Sequence, residues 1–129
     1  MKLFCLAFSL VLVLSACGNS SYHDRSLILS NEDSYTYQKC VDTGSTDTSL
    51  KREFQGFNGK DTIWMLDAAE NASISLDLSA NLSSGKFKVL LVSEDNDITT
   101  LLEGDDAQNT SFDLEKGTAR IILVGDHAN

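Results

Sequence analysis

The chain has 129 residues, with 10 Lys and Arg against 19 Asp and Glu, three Cys and no Pro. This length allows one domain, or one domain with a tail. The formal net charge of -9 argues against a nucleic-acid partner, because clustered Lys and Arg are needed to bind a phosphate backbone. Hydrophobic residues make up 42% of the chain, which is too many for a fully disordered protein.

Residues 1–16 have the layout of an export signal. Lys2 is the only charged residue before Asp24, and an apolar run from Leu3 to Leu14 follows it, with Ser9 as its polar interruption. Such a run is too short to cross a bilayer, which takes about 20 apolar residues. It matches the hydrophobic region of a signal peptide, and a buried core helix is the weaker alternative.

The end of this run, Leu14-Ser15-Ala16-Cys17, resembles the lipobox of bacterial lipoproteins. In that family the Cys thiol takes a diacylglycerol group, and a dedicated peptidase then cleaves the chain just before the Cys. The resemblance implies cleavage between Ala16 and Cys17 and a lipid on Cys17. It predicts a protein that is anchored in the cell membrane by its acyl chains, on the extracytoplasmic face.

Cleavage at that point would remove Lys2 and leave 9 basic and 19 acidic residues, a net charge of -10. Cys5 would leave with the signal, so Cys40 would be the remaining free thiol and no intramolecular disulfide would form. We expect Cys40 to be a half-buried small hydrophobic residue rather than a nucleophile, because no histidine lies in the predicted core to lower its pKa. Residues 17–31 are predicted to be the lipidated N-terminus and a flexible tether.

Residues 32–129 are predicted to form an all-β domain. Strict alternation of apolar and polar residues from Ala72 to Leu82 predicts a strand with one buried face. Residues 86–92 predict a strand that is buried on both faces near its end, and Asn58-Gly59 is a turn signal. Further strands are predicted at residues 34–38, 50–54, 61–66, 98–102, 112–114 and 119–124. About seven or eight short strands indicate an antiparallel β-sandwich.

Four stretches, residues 56–64, 84–89, 115–117 and 122–125, resemble small secreted β-sandwich lipoproteins of Gram-positive bacteria, a largely uncharacterised group. Their layout is also distantly similar to the β-sandwich modules that follow secreted peptidases. The matching residues are turn glycines and core apolar residues, so the resemblance implies a fold rather than an activity.

Domains of this kind usually continue after the Val-Gly pair with one more strand. In this sequence the Val-Gly pair is followed by four residues, Asp126 to Asn129. Either that strand is absent and a sheet edge stays open, or the segment Tyr35–Cys40 takes its place. An open edge is a site for strand addition by a partner, or for aggregation.

Few residues in the predicted domain carry chemistry. His23 lies in the predicted tether and His127 near the C-terminus, and neither has metal-ligand spacing. The acidic clusters at residues 94–97 and 103–106 lack EF-hand spacing and flank one predicted strand, so solvated turns are the favoured interpretation. We expect no enzyme activity, no cofactor and no metal, with a small hydrolase that uses acidic residues as a minor alternative.

Three aromatic residues, Trp64, Tyr35 and Tyr37, form a candidate ligand platform, because sugar-binding β-sandwiches stack ligands on exposed aromatic rings. Trp64 lies between Ile63 and Met65, which favours a core position between the sheets. The leading hypothesis is a non-catalytic binding or accessory module at the cell envelope, with a protein, peptide or glycan ligand. The alternative is a structural or self-associating envelope protein that uses an open edge strand.

Overall fold

The computed structural model describes residues 21–129, so the predicted signal peptide and Cys17 lie outside the described residues. A 3-10 turn (Ser21–His23) and a short helix, α1 (Arg25–Leu29), come first. Nine strands follow: β1 (Ser34–Thr36), β2 (Lys39–Asp42), β3 (Arg52–Gln55), β4 (Phe57–Ala68), β5 (Ala72–Ala80), β6 (Lys86–Val92), β7 (Ile98–Glu103), β8 (Asp106–Leu114) and β9 (Gly117–Ala128). The predicted all-β, sandwich-like class is confirmed, with one or two more strands than expected. Within residues 21–129, neither helical segment has the length or apolar content needed to span a membrane.

Five strands form what we term the main sheet, in the order β1-β4-β9-β6-β7 with antiparallel pairing. Two ribbons of two strands each, β2–β3 and β5–β8, form a second layer over one face of the main sheet. Residues 21–30 cover the other face. Because both faces are covered, the central strands β6 and β9 are apolar at nearly every buried position, as two-sided burial requires.

The larger core lies between the main sheet and the ribbons. Buried side chains such as Phe57, Val89 and Ile121 rise from the main sheet, and partly buried ribbon side chains pack on them. The predicted alternation is observed in β5 from Ile74 to Ala80, where the apolar residues are partly buried and the polar residues between them are exposed. The ribbon residues in this contact are Leu50, Phe54, Ile74, Leu76, Leu78 and Phe112.

The smaller core lies under residues 21–30 and corrects the predicted tether. Tyr22 is 3% exposed and Ile28 is 4% exposed, and both belong to a cluster with apolar residues of β6 and β9. The Asp24 carboxylate begins α1 by accepting a hydrogen bond from the Leu27 N–H at 3.2 Å. The prediction of a flexible tether over residues 17–31 is therefore wrong for residues 22–30, because Leu27, Ile28 and Leu29 give this segment an apolar face.

Two cations fasten the end of α1 to the main sheet. The Lys60 ammonium, which is fully buried, donates to the Ser30 carbonyl oxygen and lies 3.8 Å from Asp33 Oδ1. Arg120 donates to the same Ser30 carbonyl at 2.7 Å and to the Leu29 carbonyl at 3.3 Å. Burial, and then the neighbouring Arg120 charge, lower the pKa of Lys60. Both side chains satisfy carbonyl groups that a helix leaves unpaired at its C-terminus.

The predicted Asn58-Gly59 turn is wrong, because both residues lie inside β4. Gly59 has φ +107°, and a Cβ at this position would lie 2.1 Å from the Ser34 carbonyl oxygen. The pairing of β4 with β9 shifts register between Phe57 and Gly59. Gly59 therefore allows a bulge in β4 and the close approach of β1. A glycine inside a strand often marks one of these two features.

Both cores consist of residues between Tyr22 and Ala128. A chain that begins at Gly18 therefore contains every residue of the two clusters. We use this fragment, residues 18–129, as the soluble domain in the experiments below.

Candidate functional site

A cleft of about 880 Å³ opens between the two ribbons, over the inner face of the main sheet. Its floor is formed by seven apolar side chains of the main sheet: Ile63, Trp64, Phe87, Val89, Leu102, Ile121 and Leu123. One wall is the run 48–54, which leads into β3. The other wall is the run 75–81, which covers most of β5 and the residue after it. Such a concave, mostly apolar site is the usual form of a ligand-binding site.

The two walls of the cleft are unpaired strand edges. Within residues 21–129, β3 pairs only with β2, and β5 pairs only with β8. No residue of strands β2 or β8 lines the cleft, so the free edges of β3 and β5 are the ones that face it. The second layer of the sandwich is thus split into two ribbons with a gap between them.

Polar contacts fix the β3 wall to the main sheet. Arg52 Nη1 lies 2.9 Å from Asp61 Oδ2, and the Tyr37 hydroxyl donates to the same oxygen at 2.8 Å. Arg52 Nη1 also donates to the Tyr37 hydroxyl at 3.1 Å. Burial, together with the hydrogen bond to Asp61, raises the pKa of Tyr37 well above its usual range. Tyr37 lies between β1 and β2, Arg52 lies on β3 and Asp61 lies on β4. The contacts among these three side chains therefore set the position of this wall relative to the main sheet.

Aromatic packing supports the same wall. The rings of Tyr37 and Phe57 stack with centroids 4.6 Å apart and planes at 10°. Phe54, which lines the cleft, lies with its ring centroid 5.7 Å from that of Phe57 and 5.3 Å from that of Phe87. Such pairs add to the stability that their burial provides.

The structure places the three residues of the predicted ligand platform at two locations. Tyr35 and Tyr37 lie together, with ring centroids 5.5 Å apart, but neither lines the cleft. Trp64 lies in the cleft floor on β4, where it is partly buried against the larger core. Of the three, Trp64 alone is positioned to touch a ligand in the cleft.

Several polar groups at the rim of the cleft are engaged by other residues, while others, such as Lys51 and Glu53, are exposed. Arg52 is engaged by Asp61, and Asp77 accepts a hydrogen bond from the Asn109 side chain. The Asn129 side chain accepts from the Gly56 N–H at 2.8 Å and donates to Ser84 Oγ at 2.8 Å. The cleft therefore offers apolar surface and strand edges, and its lining contains no histidine and no cysteine.

Other chemistry-bearing residues lie apart from the cleft. Cys40 is exposed, so the expected half-buried position is wrong: it lies on β2, whose four residues are all exposed. His23 and His127 are exposed, and His127 Nδ1 lies 2.7 Å from Asp126 Oδ1. In the part of the chain that the structure describes, no three His, Cys, Asp or Glu side chains converge on a metal-sized site.

In comparisons with known proteins, no protein-family model, no curated protein and no solved structure matched this chain.

The cleft was missed by reasoning from the sequence, although parts of it were visible there. The alternation in β5 identified the apolar face that borders the cleft, and the run around Trp64 identified part of the floor. The gap itself depends on which strands do not pair, and strand pairing is a non-local property. The β3 wall has only a weak pattern in the sequence, because its partly buried and exposed residues alternate over just four positions, Arg52–Gln55.

Proposed function

We propose that this protein is a membrane-anchored extracytoplasmic lipoprotein whose folded domain is a non-catalytic binding module, with the cleft as its binding site. The observation that carries the binding role is the cleft floor, where seven apolar side chains lie between two strand edges that have no partner among residues 21–129. When a ligand covers apolar surface of this kind, the free energy of the system falls. The anchor is supported by the resemblance of residues 14–17 to a lipobox.

The packed N-terminal segment bears on how such an anchor would hold the domain. Tyr22 is buried on the main sheet, with its hydroxyl donating to Glu103 Oε2 at 2.6 Å and the Lys88 ammonium 4.2 Å from its ring centroid. An extended chain spans at most about 3.6 Å per residue, so a lipid on Cys17 would lie within about 18 Å of Tyr22. The domain would therefore stand close to the membrane surface rather than at the end of a long tether.

The anchor is tested by a Cys17→Ser variant of the full chain. Without the thiol there is no acceptor for the lipid, so we expect the variant to stay unlipidated and uncleaved by the lipoprotein peptidase. Metabolic labelling with a palmitate analogue and the size of the processed chain measure both effects. If the variant still carries label, or still fractionates with membranes after its signal is removed, the anchor proposal is wrong.

Binding is tested by retaining components of a cell-envelope fraction on the immobilised soluble domain. Ala80 is partly buried and lines the cleft, so Ala80→Phe would fill part of it. The matched control is Ala107→Phe, on the neighbouring strand β8, where Ala107 pairs with Ser79, is exposed and does not line the cleft. We expect the wild type and Ala107→Phe to retain a component that Ala80→Phe does not retain. Equal retention by all three proteins would refute a binding role for the cleft.

The alternative function, self-association through an open edge, has its own supporting observation. Strand β1 pairs with residues 58–60 of β4, so residues 64–68 of β4 pair only with β9 in the described part of the chain. Met65 in this stretch is 70% exposed. Such an edge is a template for pairing with another chain. Sedimentation over a hundredfold range of concentration distinguishes the two functions: a dimer that Met65→Lys dissociates would favour self-association, and a constant monomer would favour the binding module.

A further inference from the structure

We infer that the ligand of the cleft is an extended peptide segment of a partner protein, which inserts as a strand between β3 and β5 and completes the second layer of the sandwich. This inference rests on the proposed function, because it names the class of ligand for the proposed binding site.

The first support is the backbone on both sides of the cleft. The edges of β3 and β5 that face it have no strand partner within the described residues. Each such edge presents a row of peptide N–H and C=O groups that can pair with an added strand. An inserted segment would pair with a neighbour on each side, so its own backbone groups would also be satisfied.

The second support is the size of the gap. A strand rises about 3.4 Å per residue, neighbouring strands lie about 4.8 Å apart, and packed sheets lie about 10 Å apart, which gives about 160 Å³ per strand residue. The cleft volume of about 880 Å³ is therefore large enough for a segment of a few residues. The β5 wall, residues 75–81, is long enough to pair with a segment of that length.

The third support is the chemistry of the floor and the rim. The floor is apolar, and the exposed residues on the outer side of the walls include Glu53, Ser75, Asp77 and Ser79. Side chains of a strand point alternately to opposite faces. The expected segment therefore carries apolar side chains at alternate positions, facing Trp64 and its neighbours, and polar side chains between them. An acyl chain would cover the same floor but would leave both strand edges unpaired, so the peptide is the better match.

The test uses the soluble domain and an end-capped synthetic heptapeptide, Lys-Val-Thr-Val-Thr-Val-Lys. One control peptide is N-methylated at its valines and another at its threonines, because alternate residues of a strand pair with opposite neighbours. Each control keeps the side chains but removes the donors that face one neighbour. Lauric acid is the acyl-chain probe. Binding is followed by the fluorescence of Trp64, the single Trp of the chain, and by amide hydrogen exchange in β3 and β5.

We expect the unmodified peptide to shift Trp64 emission to shorter wavelength and to slow amide exchange at least tenfold in both β3 and β5. Each N-methylated peptide should bind at least tenfold more weakly, and Ala80→Phe should remove the response while Ala107→Phe keeps it. The inference is overturned if the N-methylated peptides bind as tightly as the unmodified one. It is also overturned if the peptide produces neither response at millimolar concentration.

The outcome with lauric acid separates the two levels of the proposal. If lauric acid shifts Trp64 emission without slowing exchange in β3 and β5, and the peptide does not displace it, the peptide inference is wrong and the cleft still acts as a binding site. If Ala80→Phe retains as much of the envelope component as wild type does, the proposed function and the peptide inference are both wrong.

Discussion

The Arg52 guanidinium lies 2.9 Å from the Asp61 carboxylate, and this contact joins the β2–β3 ribbon to the main sheet. The Asp61 side chain is 11% exposed and the Arg52 side chain is 22% exposed, so the pair is largely shielded from water. The Tyr37 hydroxyl donates to the same carboxylate oxygen. One wall of the cleft is therefore held by a shared polar contact as well as by the packing of Phe54.

The first prediction concerns this contact. Arg52→Met should lower the free energy of unfolding by about 2 kcal/mol, because it removes the cation that pairs with the Asp61 carboxylate at a position shielded from water. Urea denaturation of the soluble domain measures the change. The matched control is Lys51→Met, at an exposed neighbouring residue, which should change the free energy of unfolding by less than about 0.5 kcal/mol. Equal effects of the two substitutions would contradict the structural role of Arg52.

The second prediction concerns the attachment of the N-terminal segment. Arg120→Met removes hydrogen bonds to the carbonyl groups of Leu29 and Ser30. We expect amide exchange in α1 to accelerate at least tenfold, which corresponds to about 1.4 kcal/mol, while exchange in β5 and β8 is unchanged. Lys116→Met, at an exposed residue outside this contact, is the control. If α1 exchanges at the wild-type rate in Arg120→Met, Arg120 does not hold this segment.

The third prediction concerns stability at alkaline pH. The pKa of Tyr37 is raised by burial and by its hydrogen bond to Asp61. Above pH ~10, the unfolded chain releases the tyrosine proton while the folded chain keeps it, so the free energy of unfolding falls as pH rises. This contribution is fully present below pH ~10, and its loss has a limiting slope of about 1.4 kcal/mol per pH unit.

Denaturation of Tyr37→Phe between pH 8 and 11 measures that slope. The variant should lose less stability over this range than wild type, because it lacks the proton that the folded state retains. Tyr35→Phe, at a ring that is 47% exposed, is the matched control. A slope in Tyr37→Phe as steep as that of wild type would show that Tyr37 does not contribute to the alkaline loss.

Much of the sandwich was predictable from local sequence. Strand β6 was predicted over residues 86–92, the range that it occupies, because an apolar run flanked by turn residues leaves little choice. The alternation from Ala72 onward likewise predicted β5, which ends at Ala80, and its partly buried face. In both cases the period of the side chains and the nearby turn residues determine the element without knowledge of its partners.

The errors have a common physical origin in non-local contacts. Gly59 looked like a turn residue, but it makes room for the backbone of Ser34 against β4. Residues 22–30 looked like a tether, and they are held by Lys60 and Arg120, which are distant in sequence. The cleft is the largest example, because it exists where β3 and β5 do not pair. Such facts depend on the whole fold and leave no local pattern.

Binding in the cleft is measured most directly with Trp64, the single Trp of the chain, as the reporter. The soluble domain is labelled with 5-fluorotryptophan, so that Trp64 in the cleft floor gives one fluorine resonance, and a solubilised envelope fraction is added. We expect the resonance to shift or broaden in wild type and in Ala107→Phe, and to stay unchanged in Ala80→Phe. A resonance that stays unchanged in all three proteins, or that responds equally in Ala80→Phe, would contradict binding in the cleft.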